Sequence, residues 1–211
     1  MTDTRVVLVR HGESFATVER YIGGVRSCRG LTDFGKAQAK ALGERLGRTG
    51  ELNVDVVVSS SFPRARQTAE IYAPFVGHSD IDVRPGFGEH DPGPVCDGMT
   101  FDDFVAQYGR PDFNGDPDAV VFPGGETMSQ FHARVIGAFQ ELERDYRGKT
   151  VMVTCHGGTI DGVLRHCLQT ASTGKFEVHT KNCSITELFR PRENIWRLLR
   201  YNDHAHLSDM E

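Results

Sequence analysis

Residues Val6-Val7-Leu8-Val9-Arg10-His11-Gly12-Glu13 decide the reading of this chain. Four apolar, mostly β-branched residues make a short buried strand. The run stops at an arginine and a histidine and then at Gly12, so a positive charge and an imidazole fall at the carboxyl end of the strand. In open α/β sheets that edge is where ligands bind. His11 is placed to act as a nucleophile towards phosphorus, and Gly12 lets the backbone turn and a substrate come close. Taken alone the octet indicates only anion binding, so its partners must come from elsewhere in the chain.

Working outward, Ser14–Gly30 is polar and glycine-containing, and reads as a loop with short helical turns at the mouth of a pocket. Thr32 is an N-cap for a helix whose apolar positions are Ala37, Ala39, Ala41, Leu42 and Leu46, ended by Gly47 or Gly50. Val54–Val58 is a second buried strand; it runs through serines into Pro63, which suits the first position of a helix and puts Arg64 in its first turn. Ile81–Val83 is a short third strand leading to Glu89. Residues 90–126, rich in proline and aspartate, read as a lid insertion with one helix around Thr100–Tyr108. A long amphipathic helix follows over Met128–Tyr146, with Phe131, Val135, Phe139, Leu142 and Tyr146 on one face. Thr150–Thr154 is a strand that ends in Cys155-His156-Gly157-Gly158, echoing the first, and a helix runs on to about Leu168. Ser184–Phe189 and Trp196–Arg200 are closing strands, and the tail after Leu207 is expected to be loose. Strands alternating with helices predict an α/β fold with a largely parallel, doubly wound sheet.

Strand carboxyl ends in a parallel sheet gather on one edge, so Arg10, His11, Arg64, Glu89 and His156 can converge although no two of these segments are close in sequence. Each type has a use in phosphoryl transfer. Arg10 and Arg64 are permanently charged forks suited to phosphate. A neutral imidazole at His11 can attack phosphorus and form a phosphohistidine. His156 would donate to the phosphoryl oxygens. Glu89 could protonate the leaving alkoxide and then activate water.

At this point the chain resembles the histidine phosphatase superfamily, also called phosphoglycerate mutase-like. The matching stretches are Arg10-His11-Gly12-Glu13-Ser14, Leu31–Ala39, Ser60-Ser61 with Arg64–Ala69, Gly88-Glu89, Asp97–Thr100, Gly124–Thr127 and Thr154–Gly158. They stand in the family's order over most of residues 6–160. The resemblance implies a three-layer α/β/α sandwich forming one domain over 1–211, with the lid at about 90–126. It implies His11 as the phosphorylated nucleophile, Arg10, Arg64 and His156 as phosphate ligands, Glu89 as proton donor, and neither metal nor cofactor. Two positions depart from the family. Thr17 stands where asparagine is frequent, and its role divides between phosphate contact and loop structure; Asp97-Gly98 replaces a frequent Glu-Gly. Gly157 completes the phosphate-binding set.

Blander readings are favoured for several other residues. Arg66 reads as a solvated helix arginine, Asn182 as a turn residue, and Cys155 as a small buried hydrophobe. Cys155 is no phosphatase thiolate of the Cys-x5-Arg kind, because six residues on stands Asp161. His204-Ala205-His206 reads as solvated tail, and Phe101, Phe104, Tyr108 and Phe113 as lid packing. No Gly-x4-Gly-Lys-Ser/Thr loop, dinucleotide fingerprint or His-Glu-x-x-His helix is present.

Composition narrows the class. Hydrophobic residues at 38% and charged residues at 25% are those of a globular protein with a real core. A formal charge of −5 argues against nucleic-acid or anionic-membrane partners. Five cysteines without close pairing suggest free thiols, and the lack of a signal-like start adds to the expectation of a cytoplasmic enzyme. Expected partners are a small phosphorylated metabolite and inorganic phosphate as product, with a homodimer left open. The lid segment His90–Glu126 carries seven Asp, one Glu and one Arg, a field that disfavours bisphosphates. A phosphatase on a neutral or cationic alcohol is therefore preferred to a cofactor-dependent phosphoglycerate mutase, and both to a non-catalytic phosphate sensor.

Overall fold

The computed structural model describes residues 3–193 and 195–210. Met1, Thr2, Asn194 and Glu211 of the range 1–211 lie outside the described residues. The opening strand runs over Thr4–Arg10 (β1), and Val6 to Val9 are fully buried. Their side chains alternate between two cores, as a period of two requires. Val6 and Leu8 join one, Val7 and Val9 the other. Burial on both faces explains why the strand reads as a continuous apolar run.

The elements then follow in chain order: α1 at Phe15–Val18, α2 at Asp33–Thr49, β2 at Val56–Ser59 and α3 at Pro63–Tyr72. Next come β3 at Asp82–Val83, α4 at Gly93–Cys96 and α5 at Phe101–Tyr108. The chain closes with α6 at Met128–Asp145, β4 at Thr150–Cys155, α7 at Gly157–Leu168, β5 at Ile185–Arg192 and β6 at Ile195–Asp203. The six strands form one sheet in the order β3-β2-β4-β1-β5-β6. Neighbours from β3 to β1 are parallel; β5 and β6 run antiparallel. Helices α6 and α7 cover one face through Phe131, Val135, Phe139, Ile160 and Val163. Helices α2 and α3 cover the other through Leu42, Leu46, Ala69 and Tyr72. This is a three-layer α/β/α sandwich with a mostly parallel sheet.

Local signals place the helix ends. Thr32 caps α2 by accepting the Gly35 N–H at 3.0 Å, and Gly50 ends it in the left-handed region at φ 59°. Thr127 and Gln130 form a reciprocal capping box at the start of α6. Gly12 is needed for a reason the sequence does not disclose: a Cβ there would strike the backbone of Gly35, so β1 and α2 meet through two glycines.

Some expectations change. The lid holds two helices, α4 and α5, around a small apolar cluster of Cys96, Phe104 and Phe122. β6 is longer than Trp196–Arg200 because it pairs with β5 along its length through irregular register. The tail is not loose: Leu207 is buried with Ala39 and Cys183, and Met210 packs against them. His206 is likewise no solvated residue, since it stands against Arg45 at 3.4 Å. No described helix is long and apolar enough to cross a membrane.

Candidate active site

The sheet delivers its functional groups at one edge. β1 ends in Arg10 and leads to His11, whose backbone N–H continues the ladder to the Cys155 carbonyl of β4 at 3.0 Å. β4 ends one residue before His156, which is the N-cap of α7. β2 leads through Ser60 to Pro63, which opens α3 with Arg64 next. A 3-10 turn at Pro85–Phe87 after β3 delivers Glu89.

These groups meet around a cavity of about 520 Å³, lined at one end by Arg10, His11, Thr17, Arg64, Glu89 and Gly157. His156 is fully buried behind it, its ring edge-on to His11 with centroids 5.1 Å apart. The structure thus brings the expected residues together, with Thr17 at the exposed mouth, where its hydroxyl lies 3.2 Å from that of Ser14.

The tautomers of the two imidazoles follow from their partners. The Gly12 carbonyl lies 2.7 Å from His11 Nδ1, and a carbonyl only accepts, so Nδ1 carries the proton. His11 Nε2 then holds a lone pair, which accepts the Arg64 Nε–H at 3.1 Å. Burial holds His11 well below the usual imidazole range, and Arg64 and Arg10 push it further down, so the ring is neutral at neutral pH. Burial and Arg64 do the same to His156. Ser60 Oγ lies 2.8 Å from His156 Nε2 while His156 Nδ1 has no partner. If the Ser60 hydroxyl donates, Nδ1–H is left as an unused donor.

Arg10 donates from Nη1 to the Thr180 carbonyl, and its Nε–H is buried and unpartnered. Burial lowers its affinity for the proton, Glu89 opposing and Arg64 adding to that, yet a guanidinium stays charged. The unpartnered Arg10 N–H beside a neutral nucleophile, with His156 Nδ1 open behind it, suits an acceptor with several oxygens. The amino end of α7 adds its positive dipole.

Glu89 is fixed across the same cavity. Its Oε2 accepts the Gly158 N–H at 3.1 Å and its Oε1 accepts the His90 N–H at 3.0 Å. A Cβ on Gly158 would overlap Oε1, so this glycine makes room for the carboxylate. Asp91, the neighbouring acid, turns away to accept the Gly93 N–H at 2.9 Å.

Several supporting residues escape sequence reasoning. Thr68 accepts the Gly12 N–H at 3.0 Å and donates to the Arg64 carbonyl at 2.7 Å, tying the nucleophile's turn to α3. Arg134 of α6 donates to the carbonyls of Gly86, Gly88 and Glu89 at 3.0 to 3.2 Å and pairs with both oxygens of Glu126 at 2.7 Å. It clamps the loop that carries Glu89. Only the Gly124–Thr127 stretch hints at it. The Asn182 amide donates to the His11 carbonyl at 2.7 Å. Arg66 is an exposed helix arginine paired with Glu70, and Cys155 is fully buried, its thiol pushed up by burial. Phe101 and Phe113 line the cavity rather than serving as lid packing alone. Among the described residues no group of His, Cys, Asp and Glu is placed to hold a metal ion.

An anion site of arginines and neutral imidazoles at the edge of an α/β/α sandwich marks a protein that handles phosphoryl groups. The chain belongs to the histidine phosphatase superfamily: the profile of its branch 1 matches residues 6–204. It is 30% identical to the uncharacterised phosphatase PhoE of Bacillus subtilis (strain 168), covering 97% of each chain. It is 28% identical to a metal-independent phosphoserine phosphatase of Arabidopsis thaliana, covering 98% of this chain and 84% of that one. A 2,3-bisphosphoglycerate-dependent phosphoglycerate mutase of Brucella anthropi is 32% identical over 75% of this chain and 79% of its own. The solved structure of the α-ribazole phosphatase from Shigella flexneri superposes with a TM-score of 0.82 at 19% identity, covering 95% of this chain and 96% of that one.

Proposed function

We propose that the protein is a metal-independent phosphatase that hydrolyses a small phosphate monoester through a phosphohistidine on His11 Nε2. One observation carries the reading: the Nδ1–H to Gly12 contact leaves Nε2 as a buried lone pair facing Arg64, with Arg10 and Glu89 on the same cavity.

The ester's phosphoryl oxygens take the donors of Arg10, Arg64 and His156 and the amino end of α7. Arg64 shifts its Nε–H from His11 to the phosphoryl group, freeing the lone pair. Nε2 attacks phosphorus, the P–O bond to the alcohol breaks, and the bonding pair leaves with oxygen. Glu89, protonated at one of its free lone pairs, gives that oxygen its proton. Water then attacks phosphorus as one of its protons passes to Glu89, the P–Nε2 bond breaks with its electron pair returning to His11, and inorganic phosphate leaves. The donors stand where charge accumulates on the equatorial oxygens.

The mutase reading is supported by mutase-named relatives such as the Brucella protein and requires cations for a second anionic group. Arg20, Arg26 and Arg29, the candidates in the loop, do not line the cavity. Arg26 engages Asp97 at 3.5 Å and the Pro94 carbonyl at 2.9 Å, and Arg29 pairs with Glu19. The phosphatase reading is therefore the better supported.

The test is phosphate release from an aryl phosphate in the presence of a chelator, with acid- and base-quenched samples assayed for acid-labile protein-bound phosphate. Wild type should turn over and form the labile adduct, and His11→Ala should lose both. Faster isomerisation of 3-phosphoglycerate with a bisphosphate primer than hydrolysis of any ester would reverse the choice.

A further inference from the structure

The end of the cavity away from His11 has a different chemistry. Resting on the phosphatase reading, we infer that it receives an uncharged alcohol with a flat apolar body, hydrogen-bonded by the buried imidazoles of His90 and His132.

The apolar walls are Phe101, Phe113, Phe122, Met128 and Phe131. Three of those rings surround His90, with centroids at 6.0 Å for Phe113, 5.6 Å for Phe122 and 5.6 Å for Phe131. Rings at such spacing offer faces and edges to another flat group. His90 and His132 both line the cavity and are 9% and 4% exposed. One ring nitrogen of His90 faces the Glu126 backbone carbonyl without a well-formed hydrogen bond, and its other ring nitrogen and Nε2 of His132 have no partner. Buried polar atoms left in that state are uncommon, and a bound group that supplies their partners accounts for them.

Both rings are neutral near pH 7. Burial draws His90 below its ordinary range against the pull of Glu126 and Glu89, and burial does the same to His132 against Asp161. A neutral imidazole presents one donor and one acceptor, which suits a hydroxyl or a ring nitrogen.

The charges nearby exclude an anion. Arg165 is the cation on this wall, and its guanidinium is occupied by Asp161 at 2.5 Å and by the carbonyls of Ala171 and Phe176. Asp161 also accepts the Val178 N–H at 3.2 Å, and Glu177 accepts the Asn114 amide at 2.6 Å. A carboxylate or second phosphate placed here would meet two carboxylates and one committed arginine. By this argument the leaving group differs from the serine of phosphoserine, whose carboxylate has no counter-charge at this end.

The experiment uses full-length His11→Ala, which binds esters without transferring phosphate, titrated with three probes of one shape. These are benzyl phosphate, 4-(hydroxymethyl)benzyl phosphate and 4-carboxybenzyl phosphate. The hydroxymethyl ester should bind about tenfold tighter than the carboxylate ester. Equal or tighter binding of the carboxylate ester overturns the inference. Adding His132→Phe or His90→Phe should remove at least half of the preference for hydroxymethyl over plain benzyl. His132→Asn, which keeps a donor and an acceptor, should retain part of it. An unchanged ratio in both phenylalanine variants, with far-UV circular dichroism showing them folded, overturns the assignment of the imidazoles. Wild type that releases no phosphate from benzyl phosphate defeats the phosphatase reading, while the same binding order in His11→Ala would still uphold the subsite.

Discussion

The two ends of this cavity are built from different kinds of chain. The phosphate end is made at the tips of β1 and β4 and in the first turns of α3 and α7, and its groups are fixed by backbone: Gly12 to His11, Gly158 to Glu89, Thr180 to Arg10. The far end is made by the lid, the loop before it, one face of α6 and the 171–178 segment, and its polar groups are neutral or mutually paired. A sheet edge gathers charge from short local strings, because each string needs only to end a strand correctly. A wall assembled from separate loops gains its shape from packing among residues that carry no common pattern. On the proposed reading the first end sets the reaction and the second selects what is attached to the phosphate.

The comparison breaks most sharply if a phosphate-end residue discriminates between leaving groups. Arg64→Ala should lower kcat/KM by about 10² to 10³ for every ester, because the charge it meets is on the transferred group. Arg64→Lys should recover little, since a lysine cannot both reach a phosphoryl oxygen and replace the planar fork. A loss confined to one class of ester, in steady-state kinetics over aryl and alkyl phosphates, would place Arg64 at the wrong end. Glu89 stands between the ends. Glu89→Gln should slow alkyl esters by about 10² and aryl esters by less than about tenfold, because only the poor leaving group needs its proton. Arg134→Gln should follow the same pattern more weakly, lowering kcat for alkyl esters with little change in KM, since Arg134 holds the Glu89 loop and touches no phosphate.

How much of this was legible follows the same division. The octet Val6–Glu13, Arg64 after Pro63 and the second His-Gly at His156 marked the sheet edge and the groups that gather there, because burial pattern and turn residues act within a few positions. The preference for a phosphatase over a mutase rests in the sequence on a charge sum over the lid, and the pairing of Arg26 and Arg29 adds support to that proposal. The roles of Thr68, Ser60 and Arg134 were opaque: each acts through hydrogen bonds to a segment far away in sequence. Phe113, His90 and His132 read as lid packing or went unremarked, because a neutral histidine among phenylalanines has no local signature. The tail misled for a related reason. Leu207 and Met210 are single apolar residues in a polar stretch, and their partner Ala39 lies on α2.

A smaller effect concerns protons. His11 and His156 resist protonation when folded, whereas in the unfolded chain an imidazole titrates near 6.5. Below about pH 6.5 the unfolded state therefore binds more protons, and stability falls as pH drops until the lower folded values are reached. Above that pH the two contribute no slope. Urea unfolding between pH 7 and 5 should show the fall, at up to about 1.4 kcal/mol per pH unit for each such histidine. His11→Ala should reduce it, while His156, His90, His132 and His206, the last held down at about 4, keep a residual slope in the same direction. An equal slope in the variant would mean that His11 is not neutral in the free protein. The same variant tests the phosphate end without any substrate.

The smallest effect sharpens the comparison most, because it falls where the two ends join. Asp97, which stands where the family favours glutamate, closes the lid onto the loop before it. Its carboxylate accepts the N–H groups of Gly24 at 3.0 Å, Arg26 at 3.1 Å and Ser27 at 3.2 Å, and the Ser27 hydroxyl as well. Burial disfavours the charge, yet those donors outweigh it and hold the carboxyl below its usual range. The loop it fastens lines the cavity with Tyr21, Ile22 and Gly23, and the Gly23 carbonyl accepts Arg64 Nη1 at 2.9 Å. Asp97→Ala removes charge-assisted hydrogen bonds and should cost about 2 kcal/mol of stability. It should raise KM for the preferred alcohol ester a few-fold, because the wall that contacts the alcohol becomes mobile. The kcat for an aryl phosphate should stay within about twofold, because Arg64 remains stacked on the Phe62 ring at 4.6 Å when Gly23 moves. A fall in kcat equal to the rise in KM would show that Gly23 steers Arg64 during transfer. The two ends would then be one mechanical unit, joined through a single carbonyl.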